Sequence, residues 1–156
     1  MSFLENKYFK ALSDLVFKLL TKDEMLTLSL QAENTLFARV NGGKIRQASN
    51  VKQGDLSVSY YIGNKTIGSS LTLTGEVKED ISKVKNELDS CRKLALGVPD
   101  DPYIVFPQNL GTSNFELLPT LPSDEEIISN ALDHISGCDL AGVITKGEIV
   151  RANANS

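Results

Sequence analysis

The stretch from Leu56 to Leu73 constrains this chain most. Leu56, Val58, Tyr60 and Ile62 alternate with polar or smaller residues, and after Gly63-Asn64-Lys65-Thr66 the alternation resumes at Ile67, Ser69, Leu71 and Leu73. A period of two places those side chains on one face of a pleated strand, and the glycine-led tetrapeptide turns the chain back. The segment therefore reads as a long β-hairpin. Any open edge of such a hairpin is a template for another strand.

The flanking segments supply more elements. Phe9, Leu12, Val16, Leu19 and Leu20 recur at helical spacing, which predicts an amphipathic helix over about residues 3–21. Leu26, Leu28, Leu30 and Ala32 alternate with Thr27, Ser29 and Gln31, the pattern of a half-buried strand. Asn41-Gly42-Gly43 is a turn signal between two short strands within Leu36–Gln47. Ile81, Val84, Leu88, Cys91 and Ala95 form the stripe of a second helix, stopped by Gly97 and Pro99. Val98–Pro122 is rich in proline, has no sustained period, and reads as a long surface connection.

Ser123-Asp124-Glu125-Glu126 is a capping-box sequence opening a third helix. Its apolar face is Ile127, Ile128, Ala131, Leu132 and Ile135, and Gly137 ends it. Leu140–Thr145 and Glu148–Ala152 are short β-type runs around Lys146-Gly147, read as a closing hairpin. The expected class is α+β: an antiparallel or mixed sheet with amphipathic helices packed on one face.

At 156 residues the chain has the length of one domain, hiding about 70% of its unfolded surface. Net charge is −4, and the basic residues Arg39, Lys44, Arg46, Lys52 and Lys65 are too sparse for the concentrated positive face that phosphate binding needs. No nucleic-acid partner is expected. No apolar run reaches the ~20 residues of a membrane span, and the N-terminus lacks signal-peptide character. Cys91 and Cys138 are read as buried free thiols of a reducing compartment, with a single disulfide between them left open by sequence, and the expected location is the cytoplasm.

No constellation of catalytic residues emerges. Gly63–Ser70 half-matches a phosphate-binding loop, but Ser69 stands where the lysine belongs and a strand follows where a helix should begin. His134 is the only histidine. With Cys138 it offers two ligands at most, too few for zinc, and it reads as a helix-end residue near the negative dipole end. Cys91 lies on an apolar stripe, where a thiol resists ionisation. Asp100-Asp101 and Glu125-Glu126 fit loop and helix-start positions. Catalytic, cofactor and metal residues are therefore expected to be none, and peptide-contacting side chains stay unassigned.

Several segments in order resemble the N-terminal half of the TldD/PmbA family, also called TldD/TldE and once known as modulators of DNA gyrase. They are Arg39–Gln47, Gly54–Ser59, Gly63–Ser70, Leu94-Ala95 with Pro99–Pro102, and the closing Asn153–Ser156. The resemblance spans about residues 23–156. It implies residues 1–139 as an N-terminal α+β domain and 140–156 as a hairpin leading toward a C-terminal domain absent from this chain. In peptidase-type members, metal-binding histidines lie in that C-terminal domain on a His-Glu-x-x-x-His helix. No zinc is expected in this chain itself. What the resemblance implies here is a non-catalytic domain that helps form a homodimer or heterodimer and a chamber for unfolded peptides. Peptide capture at a strand edge between Leu56 and Leu73 is the expected mechanism. The alternative is a free-standing protein-interaction module with no proteolytic role.

Overall fold

The computed structural model describes residues 2–106, 111–117 and 119–156. In chain order the elements are α1 (Asn6–Phe17), β1 (Glu24–Asn41), β2 (Lys44–Ile62), β3 (Lys65–Thr72), α2 (Val77–Leu94), α3 (Asp124–Ile135) and β4 (Ala141–Asn155). The strands form one sheet in the order β3-β2-β1-β4, and the fold is α+β with an antiparallel sheet. The described residues between Val98 and Pro122 carry no helix or strand; residues 107–110 and 118 of that predicted connection lie outside the described residues.

The chain divides into two compact units. One comprises 1–34, 52–104 and 148–156; the other comprises 35–51 and 105–147. In the first unit the even-numbered residues Leu26, Leu28, Leu30, Ala32, Leu56, Val58 and Tyr60 are buried with Ile67 and Leu73. Against them pack Tyr8, Phe9, Leu12 and Val16 of α1 and Val84, Leu88 and Cys91 of α2. The alternation thus buries one sheet face beneath two helices, as the pattern predicts.

Helix α1 is shorter than the expected 3–21. Beyond Phe17 the Leu19 and Leu20 amides bond back three residues, to Val16 and Phe17, which tightens and ends the helix. At the other end Phe3 leaves the helical path and seats its ring against Gly54 and Gly75. A Cβ on either glycine would come within 3.0 Å and 3.2 Å of that ring. Lys52 Nζ sits 5.7 Å from the same ring's centroid.

The second unit holds the tip of the β1–β2 hairpin, α3 and the start of β4. Leu36, Ala38, Val40 and Ile135 are its buried apolar residues. Gly42 and Gly43 have φ of 57° and 66°, so the turn takes the left-handed backbone that glycine adopts without penalty. The strands it joins are much longer than the short pair expected, because alternation weakens between Gln47 and Gly54 while pairing continues. A Cβ on Gly43 would also lie 3.0 Å from the Ile135 carbonyl oxygen and 3.3 Å from that of Cys138. Gly43→Ala is expected to cost about 1–2 kcal/mol from the left-handed backbone alone, read as a lowered urea midpoint. An unchanged midpoint would refute the tight approach.

The capping box of α3 forms as predicted: Glu126 N–H donates to Ser123 Oγ at 3.1 Å, and Ser123 N–H to Glu126 Oε2 at 2.7 Å. Gly137, φ 78°, follows its end. The helix is covered less than its pattern suggests, with Ile135 buried, Ile127, Ile128 and Ala131 half-buried, and Leu132 exposed.

The closing hairpin expected over 140–156 is not present. Ala141–Asn155 is one continuous strand running through Lys146-Gly147. The reason lies in competition for β1. Gly42 N–H donates to the Leu140 carbonyl, and Ser156 N–H to that of Leu26, so this segment satisfies its backbone against β1 rather than folding on itself. Lys146 does not sit in a turn; its ammonium donates to Asp124 Oδ1 at 2.7 Å.

Candidate functional site

β3 is the end strand of the sheet, and its register fixes which backbone groups it offers. It pairs antiparallel with β2 from Asp55↔Thr72 to Ile62↔Lys65. Leu73 N–H donates to the Gly54 carbonyl at 2.8 Å, continuing the same register. In an antiparallel ladder, hydrogen-bonded and non-bonded pairs alternate. Odd residues of β3 thus turn their amides and carbonyls toward β2, whereas Thr66, Gly68, Ser70 and Thr72 turn theirs outward. Lys83 Nζ reaches the Thr72 carbonyl at 3.4 Å. From Thr66 to Ser70 each outward residue carries one donor and one acceptor. Around Gly68 there is open space, with no atom within 4 Å of where a Cβ would stand.

α2 packs along β3 and braces it. Ser69 Oγ donates to Glu87, and Lys65 Nζ donates to the Ala95 carbonyl at 2.9 Å. Two buried ionic clusters pin α2 near its ends. In its first turn, Asp80 has a fully buried carboxylate. It accepts from Tyr8 O–H at 2.6 Å, Thr74 N–H at 2.8 Å, Thr74 O–H at 3.0 Å and Gly75 N–H at 3.0 Å. Burial pushes this carboxyl upward, but those hydrogen bonds outweigh it and hold Asp80 below the usual carboxylate range. Burial, then the Asp80 carboxylate, raise Tyr8.

In the last turn Arg92 grips Glu24 through two nitrogens, Nε to Oε1 at 2.7 Å and Nη2 to Oε2 at 2.8 Å. Arg92 also donates to Asp89 and to the Leu19 carbonyl. Tyr60 O–H and Thr21 N–H complete the Glu24 shell at 2.8 Å and 2.7 Å. The Arg92 hydrogen bonds lower Glu24 to about 2 against the opposing pull of burial, with Thr21 and Tyr60 assisting. Burial and the bond to Glu24 push Tyr60 up to about 12. These groups tie α2 to α1 through Tyr8 and to β1 and β2 through Glu24 and Tyr60.

The residues weighed from sequence fall elsewhere. Gly63 and Asn64 form the tight turn joining β2 and β3, Gly63 with φ 55°, and no phosphate cradle. His134 is exposed near the end of α3, its Nδ1 2.6 Å from the Asn130 carbonyl. Cys91 is buried, and burial raises its thiol further from ionisation. Cys138, expected to be buried, is exposed beyond the end of α3, its thiol 3.9 Å from the His134 carbonyl. Arg46 donates to the Asn41 carbonyl, and Lys65 and Lys52 have the partners described above. Among the described residues no group of three or more histidine, cysteine or acidic side chains is placed to hold a metal. No helix among them is long and apolar enough to cross a membrane. Sequence reasoning missed the two buried ionic clusters entirely.

Comparison with known proteins gives the fold its class. No protein-family model matches the chain, and no curated protein matches it. Solved structures do match over nearly its whole length. TldE from Thermococcus kodakarensis covers 95% of this chain with a TM-score of 0.61 and 13% identity. A proposed modulator of a DNA gyrase from Thermotoga maritima covers 94% with a TM-score of 0.53 and 13% identity. The chain spans 37% of the length of each. The α+β fold is therefore that of one portion of TldE and of the Thermotoga maritima structure, the fold that the resemblance implies.

Proposed function

We propose that this chain is the N-terminal part of a TldD/TldE-type peptidase system. It is a non-catalytic domain that helps enclose a chamber and presents unfolded peptide to a metal site carried elsewhere. The observation that carries the reading is the outward row of backbone groups from Thr66 to Ser70 on an end strand. An extended peptide adding there would be held through its main chain, with little regard to side chains, as a handler of unfolded substrates requires. The fold shared with TldE supports the system assigned. The cytoplasm is the proposed location, and a TldD/TldE-type chain or a second copy the proposed partner.

The proposal places any zinc site outside this chain. His134 is the chain's only histidine, and no metal-binding cluster surrounds it among the described residues. The proposed chemistry therefore assigns no step to any residue here.

The reading is tested by NMR titration of a longer, dimeric form with an extended peptide. Amide signals of Thr66, Gly68 and Ser70 should move. Ser70→Pro removes one outward N–H without touching the β2 ladder, a change tolerated on edge strands. It should keep the thermal midpoint and weaken peptide binding by about tenfold, the equivalent of one or two lost hydrogen bonds. Peptide binding that spares β3 would sink strand capture. An antibody against this domain, used on source cells, tests the wider reading. A species several times heavier than 17.0 kDa fits a part of a larger peptidase system, and one of 17.0 kDa fits a free-standing module.

A further inference from the structure

The polar face of the first unit's sheet carries a second feature. Opposite the buried face, a cleft of about 410 Å³ is lined by Ser29, Gln31, Asp55, Ser57, Arg151 and Asn153. Asp55 lies on β2 and Arg151 on β4, with β1 between them. Their backbones therefore stand two strand spacings apart, about 10 Å. Arg151 takes part in none of the ion pairs among the described residues. Among the described residues Asp55 accepts one hydrogen bond, from Thr72 O–H to Oδ1 at 2.9 Å, and Oδ2 has no partner. The cleft thus holds one cation and one anion that do not neutralise each other, over small hydroxyl and amide side chains.

We propose that this cleft binds short peptides with both termini free, the carboxylate on Arg151 and the ammonium on Asp55. Arginine offers a planar fork that matches a carboxylate in two-point contact, and an ammonium donates to Asp55 Oδ2. A fully extended dipeptide separates its ends by about 7 Å, which suits groups carried on strands two apart once their side chains reach inward. A single amino acid holds both charges on one carbon and engages only one side at a time. Gln31 and Asn153 carry amides able to bond the peptide unit between. Ser29 and Ser57 are small enough to leave the cleft its depth. The site goes beyond strand capture: it uses other residues, and it reads free termini rather than the main chain of a long segment.

The test is a titration of the whole chain, followed by backbone amide NMR, with alanylalanine, its N-acetyl form, its C-terminal amide, and glycine. Alanylalanine should shift Ser29, Gln31, Ser57 and Asn153 saturably. Blocking either terminus should weaken binding by about tenfold or more, as loss of a charge-assisted bond does. Arg151→Gln should abolish the distinction between acid and amide, and Asp55→Asn that between free and acetylated amine. Both side chains are exposed, so the variants should keep the amide dispersion of the folded chain. Equal binding of blocked and free dipeptides, glycine binding as tightly as alanylalanine, or no saturable shift in the cleft would each overturn the site. Signals of Thr66, Gly68 and Ser70 report strand capture separately, so failure of one proposal is distinguishable from failure of the other.

Discussion

Replacing Asp80 with alanine is expected to destabilise the first unit by about 3–5 kcal/mol, a large share of the stability of a domain this size. The acid is fully buried, and its four hydrogen bonds come from α1 and from the loop entering α2. Without it, Tyr8 O–H and Gly75 N–H remain in the interior with no acceptor. Each such orphaned group costs about 1–3 kcal/mol. The first turn of α2 also loses a negative charge at its positive dipole end, worth about 0.3–1 kcal/mol. Urea unfolding of the variant should show the midpoint fall with little change in slope. Tyr8→Phe deletes a single bond and should cost much less. A loss below about 1 kcal/mol for Asp80→Ala would mean that water replaces the carboxylate and that the cluster is not a clamp.

Arg92→Leu should be comparably severe, about 3–5 kcal/mol near neutral pH, because Glu24 would keep its charge in a buried site without its principal partner. The pH dependence gives a sharper signature. Glu24 has an ordinary pKa of 4.5 and falls to about 2 in the fold. A depressed carboxyl binds fewer protons folded than unfolded, so its stabilisation is complete above pH 4.5 and is lost as pH falls through about 2. The difference corresponds to about 3 kcal/mol. Asp80 is shifted the same way and adds to acid sensitivity in the same sense. Glu24→Gln should flatten part of the stability slope between pH 4.5 and 2. If that slope survives unchanged, Arg92 and Glu24 do not act as a pair.

Patterns that are local in sequence proved readable. Alternation over Leu26–Ala32 and Leu56–Leu73 marked the buried face, Asn41-Gly42-Gly43 the reversal, and Ser123–Glu126 a helix start with its cap. What escaped depends on residues far apart. Asp80, Val84, Leu88 and Cys91 are the buried stripe of α2. Ile81 reads as the first member of that stripe because an acid there looks like a solvated helix start. Its proper partner, Tyr8, is 72 residues away. Glu24 and Arg92 are 68 residues apart. Lys146-Gly147 reads as a turn because sequence cannot show β1 waiting with unsatisfied backbone groups. The candidate edge was half legible: the hairpin followed from its pattern, but β3's place at the end of the sheet follows only from the order of all four strands. The Asp55–Arg151 cleft needs β4 beside β1, which the expected hairpin would have precluded.

The pairing of β4 with β1 has a consequence during synthesis. Leu26 exchanges bonds with Ser156, 130 residues later. At a translation rate of about 5–20 residues per second, roughly 6–26 s separate these two residues as they are made. Through that interval β1 is flanked by β2 alone, and its other side is a bare row of donors and acceptors beside the apolar Leu26, Leu28 and Leu30. A strand that ends up interior to the sheet thus spends its first seconds as a sticky margin. On a crowded polysome, neighbouring nascent chains would present the same margin together, and a holding chaperone that covers β1 until residue 156 emerges should raise the yield of folded protein.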